Sequence, residues 1–400
     1  MKILVLNCGS SSIKYQLINM EQKTVMADGI AERIGEDIAL FTYKSPKYTK
    51  KKREVVIEDH EQGLQMILEA LVDPTNGTLQ DLREIDAVGH RVVHAGEHYS
   101  DAIKITDHVI QVIRECISLA PLHNPANLKG IEAVSMAMPD CPQCAVFDTA
   151  FHQTMPHEAY LYPLPLEFYH EHKIRRYGFH GTSHKYVSLK AAEFLGKNLE
   201  DLKIISCHLG NGASVAAISG GKSIDTSMGL TPLEGLMMGT RCGDIDPAIP
   251  IYMQQSLGLS VDEVNNILNK KSGMLGLSHI SNDMREIEEE ILIKKNPRAI
   301  HAHDVYCYRI KKYIGSYYAA LDGADVLIFT GGVGEKMPIL REQVCRNLTA
   351  LGIQLDLEEN ARFTDDIQVL SSPESKITVL KIPTNEELMI ALETKRLISE

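Results

Sequence analysis

The chain opens on an apolar run, Lys2-Ile-Leu-Val-Leu-Asn7, which stops at Cys8-Gly-Ser-Ser-Ser-Ile13 before extended character returns in Lys14-Tyr-Gln-Leu-Ile18. A continuous apolar stretch bounded by small polar residues predicts a buried strand. The segment therefore predicts strand, polar turn, strand: a hairpin whose tip carries Gly9 and hydroxyl side chains. About half the chain later the pattern returns. Lys203-Ile-Ile-Ser-Cys-His-Leu209 is the strand, Gly210-Asn-Gly-Ala-Ser214 the small polar turn, and Val215-Ala-Ala-Ile218 the continuation. A third, partial copy is Ala324-Asp-Val-Leu-Ile-Phe329 followed by Thr330-Gly-Gly-Val-Gly334. Repetition on this scale predicts two related lobes, each offering a hairpin tip to a shared cleft. Helical spacing shows at Leu64, Ile67, Leu68 and Leu71, closed by Asp73-Pro74. It shows again at Tyr306, Ile310, Tyr313, Ile314, Tyr317 and Leu321, a longer helix that Asn296-Pro297 caps and starts.

Length and charge narrow the class. At 400 residues the chain exceeds one ordinary core and favours two domains, and its 44% hydrophobic and 24% charged residues are a globular mix. A net charge of -12 gives no broad electrostatic reason to hold nucleic acid or an anionic membrane. No stretch reaches the roughly 18 apolar residues of a spanning helix, and the apolar start ends at Leu6, too short for a signal-peptide core. The 8 cysteines are scattered, which points to the cytoplasm, and Cys141-Pro-Gln-Cys144 reads as a pair of reduced thiols. The basic run Lys44, Lys47, Lys50, Lys51, Lys52 and Arg53 reads as a solvated loop or hairpin edge, where lysines discourage pairing with another chain.

Glycine-rich turns that expose successive N–H groups can cradle phosphate oxygens, and Gly9-Ser-Ser-Ser12, Gly210-Asn-Gly212 and Gly331-Gly-Val-Gly334 all qualify. Neither a Walker loop nor a dinucleotide fingerprint occurs. Asp148 ends the apolar run Cys144-Ala-Val-Phe147, and is either a strand-end cap or a metal or catalytic group. Glu386 and Glu387 follow Thr384-Asn385 and read first as a helix start. Arg91 lies in Gly89-His-Arg-Val-Val-His94, and two histidines lie among small residues in Tyr177-Gly-Phe-His-Gly-Thr-Ser-His184. Arg241 lies between glycines in Met238-Gly-Thr-Arg-Cys-Gly-Asp244. Each of these alone reads as a surface salt-bridge group, but an arginine flanked by glycines is placed to clamp a phosphate or carboxylate. Their joint occurrence with the polar turns points to phosphoryl transfer.

These segments resemble the acetate kinase family. The resemblance also takes in Pro121-Leu-His-Asn-Pro125, Val146-Phe-Asp-Thr-Ala-Phe-His152, Cys207-His-Leu-Gly-Asn-Gly212, Ser281-Asn-Asp-Met-Arg285 and Gly332-Val-Gly-Glu335. Its most specific stretch runs from Asp225 to Pro247. It implies an α/β fold of two ribonuclease-H-like lobes of the actin and Hsp70 type around a nucleotide cleft, and a homodimer. The expected lobes are 1–148 with 386–400, on the acyl and metal side, and 149–385, on the nucleotide side. The implied reaction moves the γ-phosphoryl group of ATP onto acetate, giving acetyl phosphate and ADP, with magnesium or alternatively manganese.

By the same match, Asp148, His180 and Arg241 are catalytic, the latter two stabilising the transition state. Arg91 binds the acyl substrate, and Val93, Leu122, Phe179 and Pro232 shape its pocket. Asn7 and Glu386 associate with metal, while Ser10, Ser12 and Lys14 contact nucleotide. His208, Leu209, Gly210, Asn211 and Gly212 hold phosphates. Asp283, Met284 and Arg285, with Gly331, Gly332, Val333, Gly334, Glu335 and Lys336, surround the adenosine. The chain departs from the family pattern at Lys336, where asparagine is usual, and at Ala95, where glycine is usual. The rivals are a propionate kinase on the same scaffold and a non-catalytic ATP-dependent clamp.

Overall fold

The structure, a computed structural model, describes residues 1–400 except Leu122 and, for side chains, Thr49, Lys50 and Lys51. The polypeptide divides into two compact units: Met1–Gln153 with Asn385–Glu400, and Thr154–Thr384.

The first unit is built on β1 (Lys2–Gly9), β2 (Ser12–Asn19), β3 (Thr24–Glu32), β4 (Ala39–Ser45), β5 (Tyr48–Val55), β6 (Ala87–Val92), β7 (Ile103–Lys104) and β8 (Gln143–Phe147). They form one sheet in the order β5-β4-β3-β2-β1-β6-β8-β7. β1 to β5 are an antiparallel meander, and β6 and β8 run parallel to β1. The unbroken apolar run of β1 follows from burial on both faces. Leu4 and Leu6 join a core with Leu64, Ile67, Leu68, Leu71 and Val134. Ile3 and Val5, pointing the other way, join Ile390 and Ala391 of the C-terminal helix. The helix predicted around Leu64 spans His60–Leu71, where Asp59 caps it by accepting from Gln62 N. The basic run lies on the β4–β5 hairpin, with β5 at the sheet edge; Lys44 and Lys52 pair with Asp28 and Glu32. The Cys141 and Cys144 thiols are free, and burial pushes each up to about 11.

The second unit carries β9 (Lys203–Leu209), β10 (Ala213–Ser219), β11 (Lys222–Thr226), β12 (Val326–Thr330), β13 (Gln368–Val369) and β14 (Thr378–Lys381), in the order β11-β10-β9-β12-β14-β13. β9, β10 and β11 form an antiparallel meander, and β12 and β14 run parallel to β9. The series β11-β10-β9-β12-β14 thus repeats β3-β2-β1-β6-β8 in order and sense. This is the ribonuclease-H-like α/β plan, used twice. The long helix spans Pro297–Ala320 with Asn296 as its cap.

The third supposed hairpin is corrected by the structure. β12 leads into a short helix, Gly331–Lys336. The reason is its place in the sheet: β9 and β14 flank β12 on both sides and both run parallel to it, so no antiparallel return is open.

Candidate active site

In the first unit the β1–β2 turn is pinned from below, since His60 Nε2 lies 2.7 Å from Gly9 O. Ser10 is exposed and Ser12 partly so. Asn7 pairs with Lys14 across the hairpin, and the Lys14 ammonium is met by the Glu387 carboxylate. Register brings Arg91 and Asp148 together. Arg91 on β6 lies opposite Val146 on β8, so Asp148, two residues on, falls on the same face. Arg91 Nε donates to both Asp148 oxygens, at 3.0 and 3.1 Å, and Nη2 donates to Oδ2 at 2.6 Å. The pair to Asp148 raises the guanidinium pKa above its usual value, with Glu386 and Glu387 adding to it. Arg91 Nη1 takes no part in this pair.

Glu386 opens the C-terminal helix, which Asn385 caps by accepting from Leu388 N at 2.9 Å. Burial raises the Glu386 carboxyl above the ordinary glutamate value, with Arg91 opposing. Its Oε1 is shut from solvent and has no hydrogen-bond partner among the described residues. Val93 is buried, and its N–H donates to Asn127, which reaches on to Cys8 O. Asn127 was not anticipated from the sequence. Leu122 lies outside the described residues.

In the second unit the β9–β10 turn closes with Gly210 N donating to Gly212 O at 2.9 Å. His180 precedes the helix Gly181–Leu195 with a left-handed backbone, φ +58°. Its ring stacks on His208, centroids 4.3 Å apart. His208 Nδ1 lies 2.8 Å from Ser183 Oγ, which in turn lies 2.7 Å from Thr384 Oγ1. Phe179 is buried beside this cluster in sequence, and Pro232 gives its carbonyl to Arg241 Nη1 at 2.5 Å. No carboxylate pairs with Arg241 among the described residues, and burial pulls its pKa below the usual arginine value.

Gly212 is where these groups converge. A Cβ there would lie 2.6 Å from Arg241 Nη2 and 3.6 Å from His180 Cε1. The second distance is ordinary contact, so it is the Arg241 fork that needs a glycine to lie this close against the turn. Beside it opens a pocket of about 390 Å³, lined by Gly210, Asn211, Asn282, Asp283, Met284, Arg285, Glu288, Gly332, Val333, Lys336 and Met337. Glu288 and Met337 lie outside the segments read from the sequence, and Asn282, inside Ser281-Asn-Asp-Met-Arg285, had been given no role. Asp283 caps the helix Met284–Leu292 and pairs with Arg285, which holds its carboxyl down at about 2.

Gly331, Gly334 and Glu335 do not line the pocket; they support it. Gly331 has φ +77° and packs on the Leu209 backbone, where a Cβ would lie 2.7 Å from Leu209 O. Glu335 Oε1 accepts from Thr384 N at 3.1 Å. Leu209 itself is fully buried, main chain included, and does not line the pocket. Arg341, buried, donates to Gly334 O and Glu335 O and tethers this segment to Asn360.

No cluster of three or more His, Cys, Asp or Glu side chains able to hold a metal occurs among the described residues. Among the described residues of the first unit, Glu386 Oε1 is a buried carboxylate oxygen without a hydrogen-bond partner, a hard donor of the kind magnesium takes.

Comparison with known proteins gives a consistent set of relatives. A model of the Acetokinase family matches residues 2–392. An acetate kinase of Thermoanaerobacter pseudethanolicus is 55% identical over 398 residues, covering 100% of this chain and 99% of that one. The crystal structure of Porphyromonas gingivalis acetate kinase superposes with a TM-score of 0.96 at 48% identity, covering 99% of both chains. A propionate kinase from Francisella tularensis superposes with a TM-score of 0.92 at 43% identity, again over 99% of both.

Proposed function

The chain belongs to the acetokinase family, and from that premise we propose that it transfers the γ-phosphoryl group of ATP reversibly to acetate, giving acetyl phosphate and ADP. The observation that carries the reading is Arg241, a half-buried guanidinium without an acid partner among the described residues, set with His180 against a glycine turn. Burying an unpaired cation is costly unless an anion comes to it. The acceptor carboxylate is ionised near neutral pH and needs no base to become a nucleophile. The obstacle is bringing one anion onto another, so placed positive charge matters more than proton transfer.

In this reading Asp148 fixes Arg91 by its Nε and Nη2, leaving Nη1 for the acetate carboxylate. The family resemblance, with no geometry added to it, assigns Val93, Leu122, Phe179 and Pro232 to the acetate methyl. Arg241 and His180 stabilise charge on the transferring phosphoryl oxygens. The same resemblance assigns Ser10, Ser12, Lys14 and the stretch His208 to Gly212 to the nucleotide phosphates. Asp283 to Arg285 with Gly332, Val333 and Lys336 surround the adenosine, and Gly331, Gly334 and Glu335 brace that wall. Asn7 and Glu386 would hold magnesium, or manganese in its place. When bound, that ion supplies neutralising charge to the phosphates.

Three measurements bear on this. Hydroxylamine trapping with MgATP and a carboxylate series should give most acyl hydroxamate with acetate. One added methylene changes discrimination by about 1–3 kcal/mol, so kcat/KM should fall through propionate to butyrate. An optimum at propionate would favour the rival substrate, and ATP turnover without hydroxamate would favour a non-catalytic clamp.

A second measurement concerns Glu386. Its folded-state pKa lies above the unfolded one, so without metal it weakens the fold as pH rises above the ordinary glutamate value. Glu386→Gln should therefore raise the metal-free Tm at pH 7 and remove the stabilisation by magnesium. For a ligand at 100 times its Kd that stabilisation is about 2.7 kcal/mol. An unchanged magnesium shift in the variant would contradict this role.

The protein is also read as a cytoplasmic homodimer, on its free cysteines and on the exposed Ile249, Ile251, Tyr252, Leu257 and Val261. Sedimentation should give twice the chain mass; a monomer at working concentration would contradict it.

A further inference from the structure

We propose that Ser214 is a positioning residue that sets the tautomer and ring orientation of His180, with His184 and Ser206 behind it; the inference rests on the transition-state role given to His180 above. The four side chains meet for reasons visible in the chain. His180 and His184 are one helical turn apart, with His184 N donating to His180 O. Ser214 on β10 lies opposite His208 on β9, and Ser206 lies two residues before His208, on the same face. Ser206, Ser214 and His184 are all inaccessible to solvent.

The distances form a line. His180 Nδ1 is 2.9 Å from Ser214 Oγ, Ser214 Oγ is 2.8 Å from His184 Nε2, and His184 Nδ1 is 2.9 Å from Ser206 Oγ. A hydroxyl has one proton, so Ser214 donates to one imidazole and accepts from the other. If His184 Nε2–H donates to Ser214, the Ser206 hydroxyl donates to His184 Nδ1 and Ser214 donates to His180 Nδ1. A neutral His180 then carries its proton on Nε2, ready to donate to a phosphoryl oxygen. In the opposite direction a neutral His180 presents a lone pair at Nε2, which repels the same oxygen. Selecting the first arrangement is what the line of hydroxyls and imidazoles accomplishes for catalysis. It also holds a ring whose backbone sits in a sparsely populated region.

The test is a double-mutant cycle on the full-length enzyme. Ser214→Ala should lower kcat about 10–100-fold, the usual effect of losing a partner that orients a catalytic imidazole. KM for ATP and for acetate should stay within about twofold, since binding is not what is lost. In a His180→Ala background, Ser214→Ala should lower kcat no further. A ¹⁵N-histidine spectrum should show His180 leaving the pure Nε2–H form. Ser214→Cys, nearer in volume and a poor donor, should repeat the kcat loss if the alanine variant folds badly. Retention of kcat in Ser214→Ala, or losses that multiply with His180→Ala, would overturn the proposal. Wild-type kcat in His180→Ala alone would instead overturn the role of His180 itself.

Discussion

Arg241→Ala should lower kcat by on the order of 10²–10³, the cost of removing one preorganised group at a developing charge. The fold should survive. Arg241 makes no ion pair among the described residues, its Nη1 bonds only to the Pro232 carbonyl, and burial already disfavours its charge. Removing it relieves that desolvation, so Tm should hold or rise. In the proposed function, ground-state binding of ATP rests largely on the pocket beside the glycine turn, so KM should move little and kcat and kcat/KM should fall together. Arg241→Lys keeps a charge but loses the planar fork, and should recover only part of the loss. Near-wild-type turnover in Arg241→Ala would remove the basis of the proposed function.

Arg91→Ala should do what Arg241→Ala does not: it should damage stability as well as catalysis. The side chain of Asp148 is only 3% exposed and that of Arg91 26%. Without Arg91, Asp148 is left buried beside Glu386 and Glu387 with its cation gone. Breaking a buried pair from one side costs about 3–5 kcal/mol, and the partial exposure of Arg91 argues for the lower end. Glu386, whose carboxyl is raised by burial and lowered by Arg91, loses that opposition, and protonating it relieves the repulsion, so the deficit relative to wild type should shrink as pH falls. Chemical denaturation at two pH values measures this. Equal Tm values for Arg91→Ala and wild type would show that the pair does not hold this unit together. The contrast between the two arginines separates one that organises its surroundings from one held ready for a ligand.

The sequence carried the elements whose signals are local. The apolar run from Lys2 and the small polar turn after it are a hairpin because both cues lie within a few residues. Asn296-Pro297 marks a helix start by side-chain chemistry alone. Gly331-Gly-Val-Gly334 misled because glycine disfavours helix by about 1 kcal/mol per residue, while what makes it helical lies outside the segment: Arg341 meets its carbonyls, and β12 is enclosed by parallel neighbours from distant parts of the chain. Glu386 shows two readings holding together, since its segment is an Asn-capped helix start and its carboxylate is nonetheless buried with an unpartnered oxygen. His184 was visible as half of a histidine pair, but its partners Ser206 and Ser214 come from strands no short pattern links to it. Asn127 acts through the Cys8 carbonyl, far along the chain, and Arg341 through its link to Asn360, contacts that no motif encodes.

Placed charge, with no proton abstraction, is the core of the proposed chemistry. The direct test is the single-turnover rate of phosphoryl transfer to acetate across pH 6–8.5, with magnesium and ATP saturating. Because the acceptor is already ionised, the rate should vary by no more than about threefold over that range. A rate climbing about tenfold per pH unit through neutrality would demand a general base and contradict the account.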